Sequence, residues 1–326
     1  MKMKTKKVMS LMLAGLLAAA SLTACGGKSS GDTTAAAQSD TKAAESDTAA
    51  AESDTAAAGS DTAAAKSDTA AADSGEKKVL RVAMECAYAP YNWTQPDDAN
   101  GGVPINDSNE YANGYDVMMA KKICEELGYE LQIVRLDWDS LIPAVQTGQA
   151  DCVIAGQSIT SQRLQAVDFS EPYYYATIVT LTKKDSPYAN AKSVADLKGA
   201  TCTSQQSTIW YDNCLPQIEG ANVLSATANA PDMLMSLNAG KCDIVVTDQP
   251  TGKGALIAYP DFVMLEFGGG DDDFKVTEED INIGISMKKG NTELKSAIDS
   301  VLTKMTKDDY SRIMDEAISV QPLANQ

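Results

Sequence analysis

Between Gly26 and Lys78 the chain holds no Leu, Ile, Val or aromatic residue, and that gap decides which part of the sequence can fold. The segment carries instead a seven-residue repeat, S-D-T-x-A-A-x, which starts at Ser39 and returns at Ser46, Ser53, Ser60 and Ser67. A heptad suggests a coiled coil, but alanine alone buries too little apolar surface to offset the entropy of ordering. The segment is expected to be a flexible tether whose function is spacing. A hydrophobic core has to come from residues 79–326, enough chain for one large domain or two smaller lobes.

Ahead of the tether, Lys2, Lys4, Lys6 and Lys7 precede an apolar run over residues 8–20. A basic start, a short apolar run and small residues at its end read as an export signal rather than a membrane span. The run closes on Leu22-Thr23-Ala24-Cys25, which resembles a lipobox. Residues 1–24 are therefore expected to be a lipoprotein signal peptide, Cys25 the lipidated mature N-terminus, and residues 25–78 the tether. The chain would sit lipid-anchored at the extracellular face of the cell membrane, in the periplasm if an outer membrane exists. An ordinary signal peptide with an incidental cysteine is the alternative.

Composition narrows the chemistry. The chain has no histidine, so Ser-His-Asp and Cys-His nucleophile systems, His-ligated zinc and histidine pH switches are excluded. A net charge of −18, most of it on residues 79–326, argues against a nucleic-acid partner. Six cysteines remain in that part: Cys86, Cys124, Cys152, Cys202, Cys214 and Cys242. None forms a C-x-x-C, and most sit inside apolar runs, so buried free thiols are expected for most of them and no metal ligation. Two acidic stretches, 97–110 and 268–273, lack EF-hand spacing and read as solvated loops.

Short β-rich runs alternate with amphipathic helices. Strands are expected over 79–84, 130–136, 152–155, 178–182, 200–203, 222–224, 243–247 and 281–287. Helices are expected over 115–127, 140–147, 208–217 and 231–239, beyond Thr160, and as a pair at the C-terminal end. In the first helix Val117, Ala120, Cys124 and Leu127 share one face, with Gly128 as the stop. Strands separated by helices imply an α/β fold with mainly parallel sheets, whose ligands bind at the carboxyl ends of strands beside helix N-termini. Arg163 falls in the first turn of the helix that opens at Ser158/Thr160, where unpaired N–H groups and a guanidinium together suit a carboxylate. A surface ion pair with Asp168 or Glu171 is the competing role. Asp248 ends a strand, where its carboxylate either meets a cationic ligand group or caps the helix that starts before Pro250.

The string Ala155-Gly156-Gln157-Ser158-Ile159-Thr160-Ser161-Gln162-Arg163, followed by Val167-Asp168-Phe169-Ser170-Glu171-Pro172-Tyr173-Tyr174, resembles the signature of the amino-acid-type extracellular solute-binding proteins of ABC importers. Supporting stretches are Tyr88-Ala89-Pro90-Tyr91, Gly114-Tyr115-Asp116-Val117, Asp137-Trp138-Asp139-Ser140-Leu141-Ile142-Pro143-Ala144, Gln205-Gln206-Ser207-Thr208 and Lys241-Cys242-Asp243-Ile244-Val245-Val246-Thr247-Asp248. Their order and spacing cover nearly all of residues 79–326. The resemblance implies the two-lobed type II periplasmic-binding-protein fold with a two-crossing hinge. One lobe would be 79–177 with 282–326, and the other 178–281.

It also implies a ligand set. Arg163 would grip the α-carboxylate of an amino acid, helped by the Ser158 hydroxyl and a backbone donor at Gly156, with Ala155 beside it. Thr208 would reach the same carboxylate from the other lobe, Asp248 would take the α-ammonium, and Gln206 would line the cleft. Tyr88, Tyr91 and Trp138 map onto aromatic walls, although core packing explains any single aromatic as well. Glu85 stands where relatives read the ligand side chain, so an acid there would favour a cationic one such as Lys or Arg. Trp93 and Trp210 would instead shape a larger or apolar pocket. Asp116 is assigned to a helix start or lobe packing. The residue before Thr208 is usually glycine in the family and here is Ser207, which puts the local backbone in question.

The implied protein is a monomeric, non-enzymatic receptor with no cofactor and no metal, whose partners are an amino-acid ligand, ABC permease subunits and the membrane through Cys25. Two further classes stay open. The same fold hosts cyclohexadienyl-dehydratase-like enzymes, and the same closure would serve a sensor coupled to a membrane receptor.

Overall fold

The computed structural model describes residues 77–322; the signal segment, Cys25 and nearly all of the tether lie outside the described residues. The strand Val79–Met84 starts the first sheet because its side chains alternate between faces and both faces are covered, leaving four of its residues buried. It pairs in parallel with Glu130–Arg135 on one side and Cys152–Val153 on the other. Ser286–Lys288 then runs antiparallel to Cys152–Val153 and to Val167–Phe169, which closes the five-stranded order. A second five-stranded sheet has the same logic. Asn222–Val223, Thr201–Thr203 and Ile244–Asp248 are parallel, whereas Ile178–Lys183 lies antiparallel to Ile244–Asp248 and Phe262–Leu265.

Each sheet is thus half parallel and half antiparallel rather than mainly parallel. Strands joined by a helical crossover within one sheet must run parallel. The strands that enter from the other sheet, Ile178–Lys183 and Ser286–Lys288, are under no such constraint. The two passages between the sheets are themselves paired: Tyr174–Tyr175 lies antiparallel to Asn282–Ile283. The strand expected over 281–287 is broken between this ribbon and the sheet. At the break, a Cβ on Gly284 would come within 2.7 Å of Ile159 and 2.9 Å of Phe169.

The helix Tyr115–Leu127 covers the first sheet with Val117, Ala120 and Cys124 buried, joined by Met119 and Ile123, and it ends on Gly128 at φ 69°. Fully burying each such aliphatic side chain contributes about 1.5–3 kcal/mol. The two C-terminal helices, Thr292–Leu302 and Lys307–Val320, pack Leu294, Ile298, Val301 and Leu302, then Tyr310, Ile313 and Met314, into the same core. All six cysteines of the described residues are buried free thiols.

Two regions depart from the sequence expectation. The helix expected over 208–217 is a π-turn, Trp210–Cys214, followed by a 3-10 turn, Leu215–Gln217. Pro216 has no N–H to donate and crowds the carbonyl four residues back, so an α-helix cannot pass through it. The stretch 87–113, read partly as an acidic loop, forms a small antiparallel sheet in the order Ala87–Tyr88, Asn92–Gln95, Tyr111–Asn113, Val103–Pro104. Its strands are too short and too polar for periodicity to reveal.

Gly114 joins that small sheet to the first helix at φ 122°, and a Cβ there would sit 2.4 Å from the Tyr91 carbonyl oxygen. Gly114→Ala should therefore destabilise the protein by at least roughly 2 kcal/mol. Gly128→Ala, also at positive φ but facing open space, should cost only about 1 kcal/mol. Urea unfolding of the two variants against the parent checks this ordering.

Candidate functional site

The site lies where the carboxyl ends of both sheets face one another. The short helix Ser161–Ala166 begins at Thr160, whose hydroxyl oxygen accepts the Arg163 N–H at 3.2 Å. From that first turn the Arg163 side chain reaches back: Nη1 donates to the Ser158 carbonyl at 2.9 Å, and Nη2 to the Ser207 carbonyl, also at 2.9 Å. Its guanidinium carbon lies 5.3 Å from the centre of the Trp138 ring. The surface ion pairs weighed above do not form. Asp168 is taken by Lys289 at 2.8 Å, and among the described residues Arg163 has no carboxylate within salt-bridge distance. Burial pushes its pKa down to about 10. A half-buried guanidinium with carbonyl partners only is an attractor for an anion.

Glu85 follows the strand Val79–Met84 at its carboxyl end and is 8% exposed. The Gln205 side-chain amide lies 3.4 and 3.5 Å from its two carboxylate oxygens. Burial pushes the Glu85 pKa up to about 7; the Gln205 hydrogen bond opposes the rise, and Asp137 and Asp139 add repulsion. An acid held in this way gains most from a positively charged partner.

Asp248 performs the capping role. Its Oδ1 accepts the Thr251 N–H at 2.9 Å and starts the helix Gln249–Ala258, while its Oδ2 accepts the Tyr88 hydroxyl proton. The carboxylate is 1% exposed, and burial raises its pKa. Tyr88 therefore occupies the Asp248 oxygen that an ammonium would need.

A cavity of about 10 Å3, room for roughly one water, is enclosed by Tyr88, Trp138, Gly156, Ser158, Arg163 and Thr208, with Gln205 and Trp210. The remaining expected residues lie elsewhere. Tyr91 is fully buried behind Tyr88, their ring centroids 4.8 Å apart, and Ala155 is core. Gln206 turns outward to Asp139 at 2.6 Å, and its neighbour Gln205 faces the cavity instead. The chain turns at Gln206 and Ser207, which sends the two neighbouring amides to different sides. Trp210 lines the cavity, whereas Trp93 lines a separate apolar recess of about 240 Å3 with Leu234 and Tyr259.

Two of the expected ligand donors, at Gly156 and Thr208, have partners within the protein. The Gly156 N–H donates to the Tyr173 hydroxyl at 3.0 Å rather than into the cavity, and its φ of 62° leaves a Cβ only 3.0 Å from the Tyr88 ring. The Thr208 hydroxyl donates to the Gln205 carbonyl at 2.7 Å. Ser207 adopts φ 56°, which explains a preference for glycine there, and an L-residue pays about 1 kcal/mol to hold it.

Two α/β halves joined by a paired two-strand passage, with a lone guanidinium and buried acids between them, define a bilobed binding protein. Residues 80–319 match the bacterial extracellular solute-binding proteins, family 3, and the chain belongs to that family. It is 29% identical over 194 residues to a probable histidine-binding protein of Campylobacter jejuni, covering 59% of this chain and 69% of that one. It is 25% identical over 254 residues to an L-arginine-binding protein of Pseudomonas aeruginosa, covering 74% and 88%. Among solved structures it is similar to an amino acid ABC transporter substrate-binding protein from Streptococcus pneumoniae bound to L-arginine. There the TM-score is 0.63 at 28% identity, covering 74% of this chain and 94% of the other.

Asp248→Ala removes a helix cap and leaves the Tyr88 hydroxyl unpaired, so it should lower stability by about 1–3 kcal/mol. Asp248→Asn retains the acceptor for Thr251 and should cost less than about 1 kcal/mol. Thermal unfolding of both variants separates capping from any loss of binding.

Proposed function

We propose that this protein captures an amino acid with a cationic side chain between its two lobes and delivers it to the permease of an ABC importer. The observation that carries the reading is Arg163, a half-buried guanidinium at the cavity with no carboxylate within salt-bridge distance among the described residues. A ligand α-carboxylate would replace the two carbonyls with a bidentate ion pair. Ser158 and Thr208 stand beside it on opposite walls. Glu85, flanked by Asp137 and Asp139, would receive the cationic end, and Trp138 and Trp210 would sandwich the aliphatic part. Asp248, once released by Tyr88, would hold the ammonium. The arginine- and histidine-binding names of the relatives support the class, and the relatives compared are binding proteins, which favours capture over dehydratase chemistry.

The moving parts in this reading are residues 79–177 with 282–326, and residues 178–281. A cavity of about 10 Å3 cannot admit an amino acid, so entry requires the lobes to part. Parting breaks the cross-lobe hydrogen bonds of Arg163 to Ser207, Gln206 to Asp139, Gln205 to Glu85 and Tyr88 to Asp248. Ligand shifts the equilibrium back by its differential affinity for the closed form. Cys25 and the tether would keep this jaw near the permease.

Calorimetry with L-arginine tests the reading. Arg163→Ala should weaken binding by roughly a hundredfold or more, since it removes one partner of a buried charged pair; unchanged affinity sinks the assignment. With Glu85 at about 7 in the free protein, arginine binding should release protons near neutral pH. Affinity should also fall below pH 7 by up to about tenfold per unit. Glu85→Gln should abolish that dependence. The same variant should raise the melting temperature at pH 8, where the folded protein must hold a buried carboxylate. That gain should shrink as pH drops through 7 and vanish below about 4.5, where both states are protonated. For the anchor, Cys25→Ser should move the protein from the membrane to the soluble fraction of the producing cell; retention in the membrane would refute lipidation at this residue.

A further inference from the structure

Asp116 is fully buried at the start of the helix Tyr115–Leu127 and does not line the cavity. Its two carboxylate oxygens are committed in different directions. Oδ2 accepts Asn92 Nδ2 at 2.7 Å, and the Asn92 side-chain oxygen in turn accepts the Cys86 N–H at 2.6 Å. Oδ1 accepts the Tyr173 hydroxyl at 2.6 Å, and that hydroxyl accepts the Gly156 N–H at 3.0 Å. The two relays end on the two turns that carry the site. Cys86 directly follows Glu85, and Gly156 leads to Ser158 and Arg163. Both turn residues have positive φ, 54° at Cys86 and 62° at Gly156. For Cys86 this conformation costs energy and must be held by its surroundings.

Strand pairing does not reach these turns, and the other direct contact between them is the packing of Gly156 against the Tyr88 and Tyr91 rings. The turns leave different strands, Val79–Met84 and Cys152–Val153, and the parallel pairing of these strands stops before either turn. The backbone beneath Asp116 is locked as well, because its own N–H donates to the Tyr91 carbonyl at 2.8 Å. Tyr173 is held from the other side by the Tyr115 hydroxyl, which donates to its carbonyl, and by ring stacking at 5.7 Å.

We propose that Asp116 is a positioning residue of the ligand site: through Asn92 and through Tyr173 it sets the spacing between the Glu85 turn and the Gly156–Arg163 turn. This rests on the binding reading above. The spacing decides which ligand length fits between a carboxylate reader and a guanidinium clamp, so a residue that never touches ligand acts on affinity and selectivity.

The test uses Asp116→Asn, Asn92→Asp and the double exchange, with two readouts. In Asp116→Asn one of the two acceptors is lost: the 116 NH2 faces either the Asn92 NH2 or the Tyr173 hydroxyl, so one relay is broken. In the double exchange the 116 amide donates to the 92 carboxylate, which still accepts from Cys86, and the 116 carbonyl still accepts from Tyr173. The first readout is L-arginine affinity by calorimetry. The second, in protein without ligand, is the rate of Cys86 labelling by a thiol reagent, mapped by mass spectrometry. Asp116→Asn should weaken arginine binding at least tenfold and speed Cys86 labelling, and the double exchange should restore both to within about threefold.

Two further variants separate the arms if Asp116→Asn does not fold. Tyr173→Phe should weaken binding without changing Cys86 labelling, and Asn92→Ala should speed the labelling. Arginine affinity within twofold of the parent in folded Asp116→Asn, or in Tyr173→Phe, overturns the proposal. So does a double exchange that folds but stays weak. If the parent binds none of the standard amino acids, the binding reading falls by itself. Cys86 labelling then decides whether Asp116 holds the turn: acceleration reversed by the exchange supports it, and an unchanged rate refutes it.

Discussion

A guanidinium drawn partly out of water needs partners for its charge, and half-buried Arg163 is only partly supplied with them. Two backbone carbonyls and the face of Trp138 accept its protons and its charge, yet no carboxylate neutralises it among the described residues. The rest of the site is arranged around that deficit. The Thr160 cap aims the side chain inward, the Gly156 turn brings Ser158 alongside, and the second half closes over it with the Ser207 carbonyl. In the proposed function a ligand carboxylate would supply what the protein withholds, so that one interaction would serve both recognition and closure.

The same economy governs the opposite end. Glu85 and Asp248 are buried acids, and each is held by a neutral donor from the other half: Gln205 on Glu85, Tyr88 on Asp248. Neutral donors stabilise a carboxylate less than a cation does. The closed form without ligand is thus held by bonds that a zwitterion with a cationic side chain can improve on. In the proposed function closing would depend on ligand, because differential affinity alone moves such an equilibrium. Solute-binding proteins of this family need a jaw that shuts on ligand and can reopen, and weak self-made contacts in place of strong ones provide it.

Much of this was legible from residue order. The strand Val79–Met84 and the helix Tyr115–Leu127 occur over the residues that periodicity and the Gly128 stop indicated. The position of Arg163 in a first turn and of Asp248 at a strand end came from local rules of capping and chain direction. One miss was local, and the others were set by neighbours distant in sequence. Pro216 turned an expected helix into a π-turn and a 3-10 turn. The short strands around Tyr88 pair only because Tyr111–Asn113 returns to them. Gln205 rather than Gln206 faces the cavity because Gln205 bridges Thr227, a contact no window of sequence contains.

The sequence by itself determined where a core can exist, since the tether lacks the apolar side chains to build one and residues 79–326 carry them, and which residue types stand at strand ends and helix starts. These are local properties, written in periodicity, caps and glycines. Tertiary structure alone decided that each sheet is half antiparallel, that Tyr88 donates to Asp248, and that Asp116 joins two turns through Asn92 and Tyr173. Those outcomes depend on which groups meet after the chain has crossed twice between its halves, and a hydrogen bond across such a distance leaves no mark on either partner's immediate neighbours.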